Sequence, residues 1–110
     1  MNKQYRIKKS AEIENVLKKG QKAYSKYFTI YKLDNNETKH FRFATSVGKK
    51  IGHAVNRNLV KRRIRACMDQ FNLQDKNMDV FVIARQEVNN LTFEEYLEQI
   101  KYLLKKLHII

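Results

Sequence analysis

The stretch AVNRNLVKRRIRACMDQF, residues 54–71, predicts one long helix whose two sides differ in chemistry. At about 100° per residue, its apolar side chains fall in one narrow stripe, formed by Val60, Ile64, Cys67 and Phe71. Polar and basic side chains occupy the flank beside that stripe, namely Arg57, Asn58, Lys61, Arg62 and Arg65. We therefore expect a helix that packs on a sheet with one face and presents a basic surface with the other.

The positive charge of the chain is concentrated around this helix. The net charge is +12; residues 1–68 carry 18 Lys and Arg against four acids, whereas residues 69–110 carry five against seven. No acid occurs between Glu37 and Asp69, so the cations of the helix have no neutralising neighbour in the sequence. Such a one-signed surface favours a polyanionic partner, and arginine can bind a phosphate through two parallel hydrogen bonds.

The segments around the helix predict an α+β fold in which helices pack on a sheet. The predicted elements are, in chain order, a helix that Ser10 caps and that ends at Lys18, Lys19 and Gly20, then strands at residues 27–33 and 40–47 paired as a hairpin, and the long helix. A buried strand at 79–85 and a helix capped by Thr92 and Glu95 follow. The order is thus α-β-β-α-β-α, with room for an additional short strand near residues 21–25. We expect residues 1–110 to form a single domain, and its basic surface favours one that binds a polyanion.

Several classes of function are disfavoured by the sequence. It has no apolar run of the roughly 20 residues that span a membrane, so we expect a cytoplasmic protein that engages no membrane. Cys67 is the only cysteine and lacks His or Cys partners at ligand spacing, so we expect a buried thiol and no protein-bound metal. Gly48 and Gly52 lack the spacing of a nucleotide-binding motif, and no small-molecule substrate is expected.

RNA is the polyanion that fits best. Aromatic residues occur on both faces of the strand at 27–33, and one set can stack on unpaired bases. The same size and charge also suit a ribosomal or ribosome-assembly protein. An autonomous ribonuclease would need His40 and His53 as acid and base, because the basic half offers few carboxylates to hold Mg²⁺.

The segment SVGKKIGHAVNRNLVKRRIR, residues 46–65, resembles the signature of the bacterial ribonuclease P protein family. Members of that family are small basic partners of a catalytic RNA that removes 5′ leaders from precursor tRNA. Their Ser-Val-x-Lys-Lys loop leads into a helix with an Arg-Asn-Arg motif, a hydrophobic residue and Lys-Arg. The matching positions here are Ser46, Val47, Lys49, Lys50, Arg57, Asn58, Lys61 and Arg62. Similarity extends to residues 6–20, 28–33 and 80–85.

The resemblance implies that catalysis belongs to the RNA. The protein alone would be inactive and would bind no cofactor, with Mg²⁺ held by the partner RNA. The fold would contain a left-handed βαβ crossover, an exception to the usual hand. The surface for the catalytic RNA would comprise Lys49, Lys50, Arg57, Asn58, Lys61, Arg62 and Arg65. A cleft between the first helix and the sheet would hold the single-stranded leader through Ile13, Leu17, Phe28 or Tyr31, and Arg42.

The chain departs from the family pattern at two places. Leu59 stands where the motif usually has its second arginine, and we expect Arg63 and Arg65 to compensate for the missing cation. Ile13 and Leu17 occupy first-helix positions where many members carry phenylalanine. At those positions we expect apolar contact with the leader rather than aromatic stacking.

Overall fold

The computed structural model describes residues 5–7, 9–35 and 40–110. This part of the chain contains three α-helices and four strands. In chain order they are α1 (Ser10–Lys19), β1 (Gln21–Tyr24), β2 (Phe28–Asp34), β3 (Arg42–Val47), α2 (Ala54–Asp69), β4 (Met78–Ala84) and α3 (Phe93–Lys106). Short 3-10 turns at Lys49–Ile51 and Gln86–Asn90 precede α2 and α3. The predicted α+β order is confirmed, and β1 is the additional short strand. Ser10 is the first residue inside α1, after Lys9 at the N-cap position, so its predicted capping role is wrong. Of residues 34–38, the turn expected between the strands of the predicted hairpin, residues 36–38 lie outside the described residues.

The strand order of the sheet is β1-β2-β4-β3, so the predicted hairpin between residues 27–33 and 40–47 is wrong. β2 pairs antiparallel with β1 and with β4, while β3 pairs in parallel with β4. β4 takes the interior position because Val80, Phe81 and Val82 are all buried, and only a strand with neighbours on both sides and cover on both faces can bury such a run. α2 makes the crossover from β3 to β4. The left-handed sense of that crossover stays a prediction.

One face of the sheet packs against α2 and α3 to form the main core. Phe28 and Ile30 of β2 point to this side, and both are fully buried. The apolar stripe of α2 is confirmed at Val60, Ile64 and Cys67, which are also fully buried. Burial raises the pKa of the Cys67 thiol to about 11, as expected for a thiol surrounded by apolar groups. The core therefore fixes which side of α2 is left for solvent.

α1 covers part of the opposite face of the sheet. Val16 is its fully buried residue, and Phe81 of β4 is buried on this face. The end of α1 lies so close to β2 that a Cβ at Gly20 would stand 2.5 Å from the Val16 carbonyl oxygen and 2.6 Å from that of Lys32. Only glycine fits there, so the sequence sets how closely α1 approaches the sheet.

The last helix begins with the predicted capping box. Thr92 Oγ1 accepts a hydrogen bond from the Glu95 amide at 3.2 Å, and Glu95 Oε1 accepts one from the Thr92 amide at 3.0 Å. These bonds hold the pKa of Glu95 below its usual range. Among the helices that the structure describes, none combines the length and hydropathy needed to span a membrane.

Candidate nucleic-acid interface

The basic flank of α2, defined by Arg57, Asn58, Lys61, Arg62 and Arg65, lies beside the buried stripe as predicted. Asn58 and Arg62 are exposed, and the other three side chains are half-buried at the border with the core. No ion pair with a described residue neutralises the four cations. Arg57 Nε is buried and has no hydrogen-bond partner among the described residues. The flank thus offers positive charge that no described acid neutralises.

The lysine turn, residues Lys49–Ile51, extends this surface at the start of α2. Lys49 and Lys50 are exposed, whereas the Ile51 side chain is buried and fixes the turn to the domain. The first turn of α2 carries no acid, and its N-cap residue, His53, makes no side-chain hydrogen bond to the free N–H groups. Those amides add the positive end of the helix dipole to the charge of the lysines.

A cleft of about 280 Å³ lies between α1, the outer edge of β3 and the basic flank of α2. Ile13 supplies apolar surface from α1, while Lys61 and Arg65 supply cations from α2. Sequence reasoning missed the rest of its lining, which consists of Arg6, Ile7, Phe43, Ala44 and Thr45. Arg65 also lines a shallow depression with Asn58 and Arg62, so the cleft and the basic flank are continuous.

The structure separates the two aromatic candidates for leader binding. Tyr31 is half-exposed on the sheet face that carries α1, where Leu17 is 38% exposed. Phe28 is fully buried on the other face, with its ring centroid 5.6 Å from that of Tyr96. Because residues three apart on a strand point to opposite faces, only one of the pair can face α1. Phe28 is a core residue, and its predicted place in the cleft is wrong.

Arg42 lies on the same face as Tyr31, but its charge is already paired. Its Nε and one Nη donate to the two carboxylate oxygens of Asp79 at 3.0 and 2.9 Å, and Glu12 of α1 also pairs with it. Hydrogen bonding to Asp79, with further help from Glu12, raises the pKa of Arg42. This cluster attaches α1 to the sheet. The residue in the sequence that could have indicated this pairing is Asp79, an acid at the start of the apolar run of β4.

The expected compensation for Leu59 is wrong for one of its two residues. The Arg63 guanidinium lies 5.6 Å from the centre of the Tyr96 ring, on the side of α2 that faces α3. It is therefore turned away from the basic flank and stacks on an aromatic side chain instead. Arg65 remains on the flank, as predicted.

The two histidines of the ribonuclease alternative are far apart. His40 precedes β3 and His53 follows it, and the six residues of this strand span about 17 Å. An acid and a base that act on one phosphodiester must both reach it by hydrogen bonds, so these side chains do not form a catalytic pair. The described residues hold no cluster of three or more His, Cys, Asp or Glu that could bind a metal ion.

Comparisons with known proteins agree in pointing to one family. The family model described as ribonuclease P matches residues 1–108. The ribonuclease P protein component of Ligilactobacillus salivarius is 45% identical over 96% of this chain and 94% of that protein. The ribonuclease P protein component of Enterococcus faecalis is 41% identical over 100% of this chain and 94% of that protein. The structure of the Staphylococcus aureus RNase P protein superposes with a TM-score of 0.89 at 36% identity, covering 96% of both chains. The similarity therefore applies to the whole domain.

Proposed function

The chain belongs to the ribonuclease P protein family, and on that premise we propose that it binds the catalytic RNA of ribonuclease P and the 5′ leader of precursor tRNA. Members of this family are a subunit of a tRNA-processing enzyme, so the chain is a protein cofactor in tRNA maturation. The observation that carries the proposal is the continuity of the cationic flank of α2 with the cleft beside α1. One domain can thereby contact two RNA segments at once.

The basic flank and the lysine turn form the surface for the catalytic RNA. Their cations form no ion pair with the described residues, so association with phosphates replaces bound counterions instead of breaking such pairs. Arg57 and Arg62 can each bind a phosphate through two N–H groups. The Asn58 amide, which is exposed, can donate to a phosphate, a 2′-hydroxyl or a base edge.

The cleft beside α1 holds the single-stranded leader. Ile13 lines this cleft and offers apolar surface to unstacked bases, while Lys61 and Arg65 offer charge to the phosphates between them. Leu17 and Tyr31 lie outside the lining of the cleft, on the sheet face that carries α1, and we propose that they extend its apolar and aromatic surface. Arg42 acts indirectly, because its pairs with Glu12 and Asp79 keep α1 in place over the sheet.

The chemistry of cleavage belongs to the RNA partner. The protein supplies binding energy and lowers the repulsion between two polyanions, and Mg²⁺ ions held by the RNA then work at a lower bulk concentration. The protein itself holds no cofactor and lacks cleavage activity when alone. It acts in the cytoplasm, where precursor tRNA is transcribed.

The test is cleavage of labelled precursor tRNA by a bacterial ribonuclease P RNA at low Mg²⁺, with and without the protein, beside a lane with protein alone. We expect cleavage at the mature 5′ end only where RNA and protein are combined. Cleavage by the protein alone would overturn the assignment of catalysis to the RNA. Absence of stimulation would overturn the proposed function and favour a ribosomal or assembly role.

Two substitutions connect the activity to the basic flank. Arg57→Ala and Arg62→Ala should each weaken binding to the catalytic RNA and make the binding less dependent on salt, because each removes a phosphate contact. Lys101→Ala is the matched control, since Lys101 is an exposed cation on α3. Equal losses in all three variants would show that net charge, and not this surface, determines binding.

A further inference from the structure

We propose that Asn56 and Asn89 are positioning residues that hold the lysine turn in the orientation needed to bind the catalytic RNA. The inference rests on the proposed function and deepens it. Asn89 lies outside the segments that carry phosphate-binding charge, and Asn56 lies on α2 but is itself uncharged. Both act on Lys49 and Lys50 through the backbone of the turn, and neither needs to touch RNA.

The two amides meet at a single carbonyl group. Asn56 Nδ2 donates to the Ile51 carbonyl oxygen at 2.8 Å, and Asn89 Nδ2 donates to the same oxygen at 2.8 Å. Asn56 Nδ2 also donates to Asn89 Oδ1 at 3.2 Å. These bonds join three segments that are separate in sequence: the lysine turn, the first turns of α2, and the 3-10 turn Gln86–Asn90 after β4.

The lysine turn needs such support because its own backbone is short and bordered by glycines. Among the described residues, two internal backbone hydrogen bonds close it, from Ile51 N to Gly48 O at 3.2 Å and from Gly52 N to Lys49 O at 3.1 Å, and the buried Ile51 side chain holds one end of it. Gly52 has φ 144°, a conformation that other residues rarely adopt, and a Cβ there would lie 2.8 Å from Asn56 Nδ2. Glycine at this position therefore leaves the space that the Asn56 amide occupies.

A fixed backbone in the lysine turn should raise the affinity for RNA, because the exposed lysine side chains are not held in place by surrounding protein. Lys49 and Lys50 are exposed, so their ammonium groups gain little from the surrounding protein and can sample many positions. If the backbone of the turn also moved, binding would have to order both the turn and the side chains, and each ordered residue lowers the affinity. The asparagine pair removes the backbone part of that cost before RNA arrives.

The experiment measures the affinity of a bacterial ribonuclease P RNA, across a series of salt concentrations, for four forms of the full chain: the unaltered protein, Asn89→Ala, the Lys49→Ala/Lys50→Ala double variant, and the triple variant. We expect Asn89→Ala to weaken binding by roughly fivefold, the equivalent of about one hydrogen bond. The double variant should lower the slope of log affinity against log salt by about 1 to 2. In the triple variant, Asn89→Ala should add no further loss.

Two controls separate positioning from general stability. Asn90→Ala alters the neighbouring exposed residue, whose side chain makes no hydrogen bond to the described residues, and it should leave affinity unchanged. Thermal unfolding of every variant fixes a temperature at which all of them are folded. Asn56→Ala, which removes the other donor to Ile51, should reproduce the effect of Asn89→Ala and its dependence on the lysines.

The outcomes are distinguishable. An equal loss from Asn89→Ala with and without the lysines would overturn the inference, because the asparagine would not then act through them. No loss from Asn89→Ala, or no loss from the double lysine variant, would overturn it as well. Failure of the unaltered protein to bind the RNA would instead overturn the proposed function, and this inference with it.

Discussion

Substitution of Asp79 with alanine should make the domain markedly easier to unfold. The carboxylate is 3% exposed and accepts two hydrogen bonds from Arg42, at 3.0 and 2.9 Å, and one from Asn35 Nδ2 at 3.0 Å. Alanine would leave the Arg42 guanidinium, whose side chain is 14% exposed, with Glu12 as its remaining carboxylate partner. The loss therefore includes the cost of a poorly solvated charge.

The size of the loss in the free energy of unfolding depends on which partners of Arg42 remain in the variant. Removing one partner of a buried ion pair costs about 3–5 kcal/mol, and the remaining Glu12 places this case near the lower end, about 3 kcal/mol. For a domain of this size such a loss lowers Tm by roughly 12 °C. Glu12→Gln should cost less, about 0.5–1 kcal/mol, because the Glu12 side chain is 31% exposed and water can replace it.

Urea unfolding followed by circular dichroism measures these free energies. A double-mutant cycle with Arg42→Met isolates the pair: Asp79→Ala should cost much less once the guanidinium is absent. The reasoning would be refuted by a loss below 1 kcal/mol for Asp79→Ala, or by the same loss in the presence and absence of Arg42. In either case the pair of Arg42 and Asp79 would not be what stabilises this part of the sheet.

Three further predictions concern the core, the α1 boundary and the thiol. Phe28→Ala should cost about 3–5 kcal/mol in urea unfolding, whereas Tyr31→Ala should cost less and instead weaken binding of precursor tRNA with a leader relative to mature tRNA. Gly20→Ala should lower Tm, because its Cβ would overlap two carbonyl oxygens, while Gly48→Ala, whose Cβ meets nothing within 4 Å, should not. Cys67 should resist a thiol reagent at pH 8 until the protein is unfolded. Its folded pKa of about 11 exceeds the ordinary 9.0, so stability should fall as pH rises from about 9 to 11, where the unfolded thiol ionises first.

The sequence alone was sufficient for features that depend on neighbours in the chain. The apolar stripe of α2 and its basic flank follow from helical spacing, and the structure places Val60 and Ile64 in the core and Arg62 in solvent accordingly. The capping box of α3 follows from two residues three apart. The family resemblance also came from one continuous segment, residues 46–65. In each case the interacting groups are within one or two helical turns, so local geometry determines the result.

Only the tertiary structure decided which distant segments meet. Strand pairing depends on total burial over the whole sheet, and this is why β4 separates β2 from β3 although those two are consecutive in the chain. The same pairing points Phe28 into the core and leaves Tyr31 on the sheet face that carries α1. A shift of one residue in the strand register would exchange the two faces. Arg42 meets Asp79 from 37 residues away, and Asn56 meets Asn89 from 33. No local pattern encodes these contacts, because folding brings them together only when the core closes.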